Sequence, residues 1–206
     1  MRHDDDGMMV KICGITNRED ALAAIEGGAG ALGFNFYSAS PRYIAPEEAA
    51  EIGAGLPVWP AVWKVGVFVD EAPERIMRIA RLAGLDIAQL HGSESPENYP
   101  AGIRVWKAIR VRDEQLPEAL DWPAEAVLLD GPASGESFDW RNIPGMSRYA
   151  GKLILAGGLD AGNVRKAIQQ AHPWGVDACS RLESAPGRKD HFKMAEFLKA
   201  ALGATS

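Results

Sequence analysis

Lys11-Ile12-Cys13-Gly14-Ile15-Thr16 reads as a short apolar strand that delivers a thiol to its carboxyl end and then turns into a helix. Far downstream, Val127-Leu128-Leu129-Asp130-Gly131 delivers a carboxyl in the same way. Side chains alternate along a strand, so Lys11 and Cys13 share one face, as do Leu128 and Asp130. A thiol and a carboxyl at the carboxyl ends of two barrel strands would face one cavity as base and acid. That pairing is the equipment of an isomerase.

Working outward from these two stretches, apolar runs of strand length alternate with helical patterns. Strands are expected over 10–15, 31–36, 63–69, 87–91, 104–110, 126–130, 152–156 and 175–179. Helices are expected over 17–27, 46–55, 72–83, 95–100, 113–120, 141–147, 161–172 and 189–202. Thr16-x-x-Glu19 has the pattern of a capping box for the first helix. Ile76, Ile79, Ala80 and Ala83 recur at helical spacing on one face. The fourth and sixth helices are short and carry Pro or Gly, as single turns would. Eight βα units with near-continuously apolar strands imply a parallel sheet covered by helices. A doubly wound sheet would have fewer strands, and no Gly-rich dinucleotide fingerprint follows the first strand. The expected fold is α/β, a (β/α)8 TIM barrel forming one domain over 9–206. The acidic start, residues 1–8, reads as a disordered leader and lacks the apolar segment of a signal peptide.

The 206 residues carry 28 acidic against 22 basic side chains, a net charge of −6 that offers no footprint for nucleic acid. An anionic substrate therefore requires positive charge gathered locally. Two cysteines, Cys13 and Cys179, do not make a disulfide framework and fit a reducing cytoplasm. No apolar run is long enough to span a membrane.

In such a barrel the chemistry lies in the loops that follow the strands. That rule selects Cys13, the 37–43 loop, Asp70, His91, Arg110, Asp130, the Gly157-Gly158 turn and the 180–187 loop. Cys13, just before Gly14 and a helix start, is placed for a thiolate favoured by backbone N–H groups and positive charge, although buried cysteines also simply pack. Asp130 ends an apolar strand, either as a cap for the next loop or as a general acid kept partly protonated by desolvation. Leu155-Ala156-Gly157-Gly158-Leu159, with a helix starting near Ala161, has the form of a phosphate cradle or of an ordinary tight turn. Arg42 in Ser40-Pro41-Arg42-Tyr43 could pair with a substrate carboxylate, with Tyr43 or Phe36 giving ring contacts, or sit in a solvated turn. His91 is either a proton shuttle or a hydrogen-bonded scaffold residue. No His, Cys and carboxylate cluster has zinc spacing, so no metal is expected.

Taken together, these segments resemble the phosphoribosylanthranilate isomerase family. The matching pieces are Lys-Ile-Cys-Gly-Ile-Thr at 11–16, Gly-Phe-Asn-Phe-Tyr from 33, Ser-Pro-Arg-Tyr-Ile at 40–44 and Val-Gly-Val-Phe-Val-Asp at 65–70. Gln-Leu-His-Gly at 89–92, Leu-Leu-Asp at 128–130, Phe-Asp-Trp at 138–140 and Leu-Ala-Gly-Gly-Leu at 155–159 follow in order. Gly-Val-Asp at 175–177 and Glu-Ser-Ala-Pro-Gly-Arg-Lys-Asp at 183–190 complete the set. The resemblance implies an Amadori rearrangement of N-(5-phosphoribosyl)anthranilate in tryptophan biosynthesis, with no cofactor. It implies Asp130 as general acid at the furanose ring oxygen and Cys13 as the thiolate base at C2′. It implies Arg42 on the anthranilate carboxylate, phosphate at Gly157, Gly158, Ser180 and Arg181, and further substrate contacts from His91 and Asp177. The partner would be this phosphorylated small molecule, with no nucleic acid or membrane. The chain is expected to be a monomer, with a homodimer as the alternative.

The chain departs from the family where the eighth strand normally leads into Ser-Ser-Gly-Val-Glu, because it has Cys179-Ser180-Arg181-Leu182-Glu183. Arg181 replaces a glycine able to take a left-handed conformation, so either the loop has re-formed or Arg181 itself contacts phosphate. The Gly131-Pro132-Ala133-Ser134-Gly135 loop is less glycine-rich than the family pattern and would stiffen a lid. Cys13 and Cys179 end neighbouring barrel strands, and if they face the same way oxidation could join them. A dual-substrate isomerase would use paired Asp residues, which Cys13 disfavours. An indole-forming synthase would need a catalytic Lys nearer a strand end than Lys11. A barrel that binds without turnover is the remaining rival, favoured only by Arg181.

Overall fold

The computed structural model describes residues 7–58, 61–111, 123–132, 135–137, 139–140 and 151–204. Eight parallel strands close into a barrel in sequence order: β1 Met9–Ile12, β2 Ala31–Asn35, β3 Trp63–Phe68, β4 Ile87–Leu90, β5 Arg104–Arg110, β6 Ala126–Asp130, β7 Lys152–Leu155 and β8 Gly175–Ala178. Closure comes from β1 pairing with β8, Met9 opposite Gly175 through Ile12 opposite Ala178. Helices α1 Arg18–Glu26, α2 Pro46–Ala54, α3 Pro73–Ala83, α4 Val164–Ala171 and α5 His191–Leu202 cover the outside. A short antiparallel pair, β9 Glu183–Ala185 and β10 Arg188–Lys189, leads from β8 into α5.

All eight expected strands form, and most end one to three residues earlier at the carboxyl side than their apolar runs. The reason is geometric: the chain turns over the rim at these positions, although the N–H of Cys13, Phe36 and His91 still bonds to the neighbouring strand. The face predicted for α3 is buried as expected, with Ile76, Ile79, Ala80 and Ala83 inward. Pro73 at its first turn and Gly84, at φ 60°, just past its end set its limits. The capping box at Thr16 does not form. Asn17 caps α1 instead, its Oδ1 accepting the Asp20 N–H at 2.8 Å, while the Thr16 hydroxyl donates to the carbonyl of Gly187. The helix expected over 95–100 is one 3-10 turn, Pro96–Asn98. The helix expected over 161–172 starts only at Val164, because Asn163 and Asp160 tie residues 160–163 into a turn. The helices expected over 113–120 and 141–147 lie outside the described residues, as do residues 1–6 of the leader.

Alternation divides the apolar side chains into two cores. One fills the space between sheet and helices and includes Ile12, Leu32, Phe34, Phe68, Leu129 and Phe197. The other fills the barrel interior with Met9, Ala31, Val65, Ile87, Trp106, Ala126, Leu128 and Ile154. Its amino-terminal end is closed by three indoles. Trp63, Trp106 and Trp174 meet pairwise at centroid distances of 6.0–6.1 Å. Arg104 covers Trp63 at 4.4 Å and Lys152 covers Trp174 at 4.6 Å, with Glu125 bonded to both cations. This plug fills one end of the barrel, and a cavity opens at the other, at the strand carboxyl ends.

Trp106 is fully buried at the centre of the plug. Trp106→Ala is expected to lower unfolding free energy by about 3–5 kcal/mol, the cost of a large aromatic cavity. A urea melt followed by circular dichroism reads the change.

Candidate active site

The period of two that sorts the cores also builds the site. Two residues beyond each buried interior position, the same face emerges at the rim: Leu128 is followed by Asp130, Gln89 by His91, Lys11 by Cys13 and Asp177 by Cys179. All of these except Lys11 line one cavity of about 500 Å³ at the carboxyl ends of the strands. Arg42, Arg110, Gly157, Gly158, Ser180 and Arg181 line it too, whereas Asp70, also expected at the rim, does not.

Cys13 leaves β1 with its N–H bonded to the Ala178 carbonyl at 2.9 Å. Gly14 follows at φ 73°, where an added Cβ would come within 2.9 Å of both Arg42 Cδ and Cys179 Sγ. Only glycine lets the chain turn so tightly around the thiol. Cys179, Lys11 and Lys189 together outweigh burial and hold the Cys13 thiol well below its usual range, while the Cys179 thiol also donates to Glu183 Oε1 at 3.9 Å. Cys179 moves the opposite way, pushed up by the anionic Cys13 beside it and by its own burial. The two shifts run in opposite directions, favouring the anion at Cys13 and the protonated thiol at Cys179.

Beneath Cys13, Lys11 is wholly buried and its Nζ donates to Asp177 Oδ1 at 2.9 Å. Burial disfavours the ammonium, but the charges of Asp177 and Cys13 outweigh it and Lys11 stays protonated. One cation cannot fully support two buried anions. Asp177 gives way: burial pushes it up to about 7 against the pull of Lys11, and the Cys13 charge adds to the rise.

Arg42 is not a solvated turn residue. Its Nε and Nη2 form a two-pronged pair with the Glu183 carboxylate at 2.8 and 2.7 Å, which keeps the guanidinium charged and pointed at the cavity. Glu183 also accepts from Lys189 Nζ at 3.1 Å and from the Gly187 N–H at 3.3 Å. Burial alone would raise the Glu183 carboxyl, but Arg42 and Lys189 hold it below its ordinary value. The ring contacts expected beside Arg42 differ. Phe36 points away from the cavity into the outer core and stacks on Phe68 at 5.4 Å, because alternation sets it opposite Asn35. Tyr37 lines the cavity instead of Tyr43.

The Asp130 side chain is about a quarter exposed. Its Oδ1 accepts the Gly131 N–H at 2.9 Å and its Oδ2 lies 3.3 Å from His91 Nε2. Gly157 and Gly158 take φ of 82° and 62°, which carries their backbone against the loop after β6. Asn163 steadies the turn by donating to the Gly158 carbonyl at 2.8 Å. Asp70 turns away from this cavity, at φ 49°, and its Oδ1 accepts the Ser93 N–H at 2.6 Å.

Residues 10–200 match the family model described as N-(5'phosphoribosyl)anthranilate (PRA) isomerase. The chain belongs to the phosphoribosylanthranilate isomerase family. It is 52% identical over 207 residues to the N-(5'-phosphoribosyl)anthranilate isomerase of Solibacter usitatus, covering 96% of this chain and all of that one. A phosphoribosylanthranilate isomerase solved in complex with reduced 1-(o-carboxyphenylamino)-1-deoxyribulose 5-phosphate superposes with TM-score 0.87 at 44% identity, over 95% of this chain and 99% of that one. The Thermus thermophilus enzyme gives TM-score 0.88 at 40% identity, over 94% and 98%. The protein is thus a phosphoribosylanthranilate isomerase, an enzyme of tryptophan biosynthesis.

Against the isomerase pattern, Arg181 causes no backbone conflict. Among the described residues only Asp70 and His172 are non-glycines with positive φ, and Arg181 sits in a 3-10 turn over Ser180–Leu182. Its side chain spans the rim, donating from Nε to the Gly135 carbonyl at 3.1 Å and reaching Asp160 at 3.5 Å. Lys11, Lys189 and Glu183 are the residues of the site to which the sequence assigns no role, although Glu183 falls in the 180–187 loop selected there. A Lys two residues before the thiol, on the same face of an otherwise apolar strand, was the available signal for the first. The other two come from the loop beyond β8 and are brought in only by tertiary contact. No group of three or more His, Cys, Asp or Glu among the described residues is arranged to hold a metal ion.

Cys179→Ala is expected to raise the pH at which Cys13 becomes nucleophilic, because the thiolate loses its donor. A hydrogen bond to a charged group corresponds to a shift of about 1–2 pH units. The midpoint of iodoacetamide alkylation against pH checks this, with Cys179→Ser, whose hydroxyl still donates, staying near wild type.

Proposed function

We propose that this isomerase acts on N-(5-phosphoribosyl)anthranilate with Asp130 as general acid and Cys13 as general base. The observation that carries the reading is that Cys13 and Asp130 line the same cavity. Ring opening needs a proton delivered to the furanose oxygen, and the Amadori step needs one removed from C2′ of the resulting iminium ion. Cys13 is suited to the second task because Cys179, Lys11 and Lys189 favour its anion. Asp130 is suited to the first because it sits at the rim beside His91 Nε2, a group able to resupply or steer the proton. The product is 1-(2-carboxyphenylamino)-1-deoxyribulose 5-phosphate, and the solved relative that holds the reduced form of that compound supports the assignment.

The remaining contacts follow from charge. The phosphate goes to the Gly157-Gly158 turn and the Ser180-Arg181 turn, where backbone approaches without side chains and Arg181 adds a cation. Glu183 takes the Nε and Nη2 edge of Arg42, leaving the Nη1 edge for the anthranilate carboxylate. His91 and Asp177 contact the sugar between these ends. Within the segment expected as a leader, Met8 is partly buried against the outer core, one residue before β1 begins at Met9. The chain works in the cytoplasm, in keeping with its two unpaired cysteines. No described helix is long and apolar enough to cross a membrane.

Freshly made phosphoribosylanthranilate loses fluorescence as it is turned over. Wild-type protein is expected to consume it rapidly, and Cys13→Ser and Asp130→Asn each to lose about 100-fold or more in kcat. Retained turnover in either variant overturns the corresponding role. Light scattering is expected to give a monomer of 22.2 kDa, because the exposed large apolar side chains are spread over separate segments: Tyr37 and Tyr43, Val58, Leu82 and Phe192. The relative from Thermotoga maritima is described as dimeric, and a mass twice as large here would overturn the monomer.

A further inference from the structure

Rearrangement of the substrate needs one sulfur, and this site has two. β1 and β8 run parallel with Ile12 opposite Ala178, and the Cys13 N–H continues that ladder to the Ala178 carbonyl. The next step of the register sets Cys13 beside Cys179. Residues opposed across neighbouring strands lie about 5 Å apart at Cα, within the span a disulfide bridges. Both side chains emerge on the cavity side, both are free thiols, and both are partly exposed. The backbone leaves them room: a Cβ at Gly14 would come within 2.9 Å of Cys179 Sγ, and one at Gly33 within 2.8 Å of Cys13 Sγ. Cys179 Sγ also has a carboxylate within reach, Glu183 Oε1 at 3.9 Å.

The charges around the pair are not symmetrical. Lys11 lies against Cys13 from inside the barrel, while Lys189 Nζ is 3.8 Å from Cys179 Sγ. Arg42 closes the side nearest Gly14. The facing anions, Asp177 and Glu183, are each already bonded to one of these cations. Attacking character therefore belongs to Cys13, and Lys189 stands ready for the negative charge that appears when Cys179 loses its proton.

We propose that Cys13 and Cys179 form a peroxide-reactive dithiol, Cys13 attacking and Cys179 resolving, whose disulfide reversibly stops the enzyme. The stopping of turnover rests on Cys13 as the catalytic base, while formation of the bond does not. In the first step the Cys13 thiolate attacks one peroxide oxygen and the O–O bond breaks. Sulfur is oxidised to a sulfenic acid and the hydroxide released takes a proton from solvent. In the second, Cys179 gives up its proton and attacks the Cys13 sulfur, and the S–O bond breaks. The departing hydroxide takes that proton and leaves as water. One peroxide is reduced to two waters for each disulfide formed. The neighbour at 179 also intercepts the sulfenic acid before a second peroxide can carry it to the irreversible sulfinic state.

The test treats the full chain with a small excess of hydrogen peroxide, removes the peroxide, and reads peptide masses and isomerase turnover before and after dithiothreitol. The expected result is a linked Cys13–Cys179 peptide pair about 2 Da lighter than the two thiols, with turnover lost at least tenfold and restored by the reductant. Cys179→Ser is expected to gain about 32 Da on the Cys13 peptide and to stay inactive after reduction. Wild-type protein that shows the same gain of about 32 Da and no linked pair overturns the proposal, and needs no variant to do so. A linked pair with full turnover overturns the stop, and with it Cys13 as base, while the dithiol itself stands.

Discussion

Lys11 is the residue on which the site depends. A lysine with no exposed surface, inside the barrel, is tolerable only if its charge is met in place. Asp177 meets it from β8 and Cys13 from one step farther along its own strand. The interaction acts in both directions. The cation makes a buried thiolate affordable at Cys13, and the two anions keep the cation charged. Removing one member of such a group leaves an uncompensated buried charge, a cost of about 3–5 kcal/mol. Asp177, pushed up to about 7, shows where the shortage of positive charge falls.

The barrel makes this arrangement available by closing. β1 and β8 are the first and last strands, and only their pairing brings Lys11 to Asp177 and Cys13 to Cys179. The plug of Trp63, Trp106 and Trp174 closes the opposite end, and the buried charges lie beneath the cavity at the strand carboxyl ends. Beyond β8, the short β9–β10 pair adds a second layer of control. Glu183 there binds Arg42 and Lys189 together, which couples the Arg42 side of the cavity to the cations beside the thiols.

Much of the fold was legible because its signals are local. Eight apolar runs at strand length, spaced by helical patterns such as Ile76, Ile79, Ala80 and Ala83, specify a parallel barrel without reference to distant contacts. The rim residues were legible for the same reason: alternation places Cys13 and Asp130 by counting. Errors arose where a local rule met a distant competitor. Thr16 was expected to cap α1, but Gly187 claims its hydroxyl across the chain, so Asn17 caps instead. Phe36 was offered to the substrate, yet Phe68 holds it in the outer core.

What the sequence by itself determined is the period and the order: which residues form strands, which face each side chain takes, and which strand ends carry a thiol or a carboxyl. Those follow from short-range stereochemistry, and the family motifs are written in the same short segments. The charge state of the site was decided only by tertiary structure. Arg181 looked like a misfit for a glycine until the turn over Ser180–Leu182 showed no left-handed backbone to strain. Arg42 looked like a loop cation until Glu183, far along the chain, fixed it. Ionisation depends on which charges lie within a few ångströms and on how much water is excluded, and neither is set by neighbours in sequence.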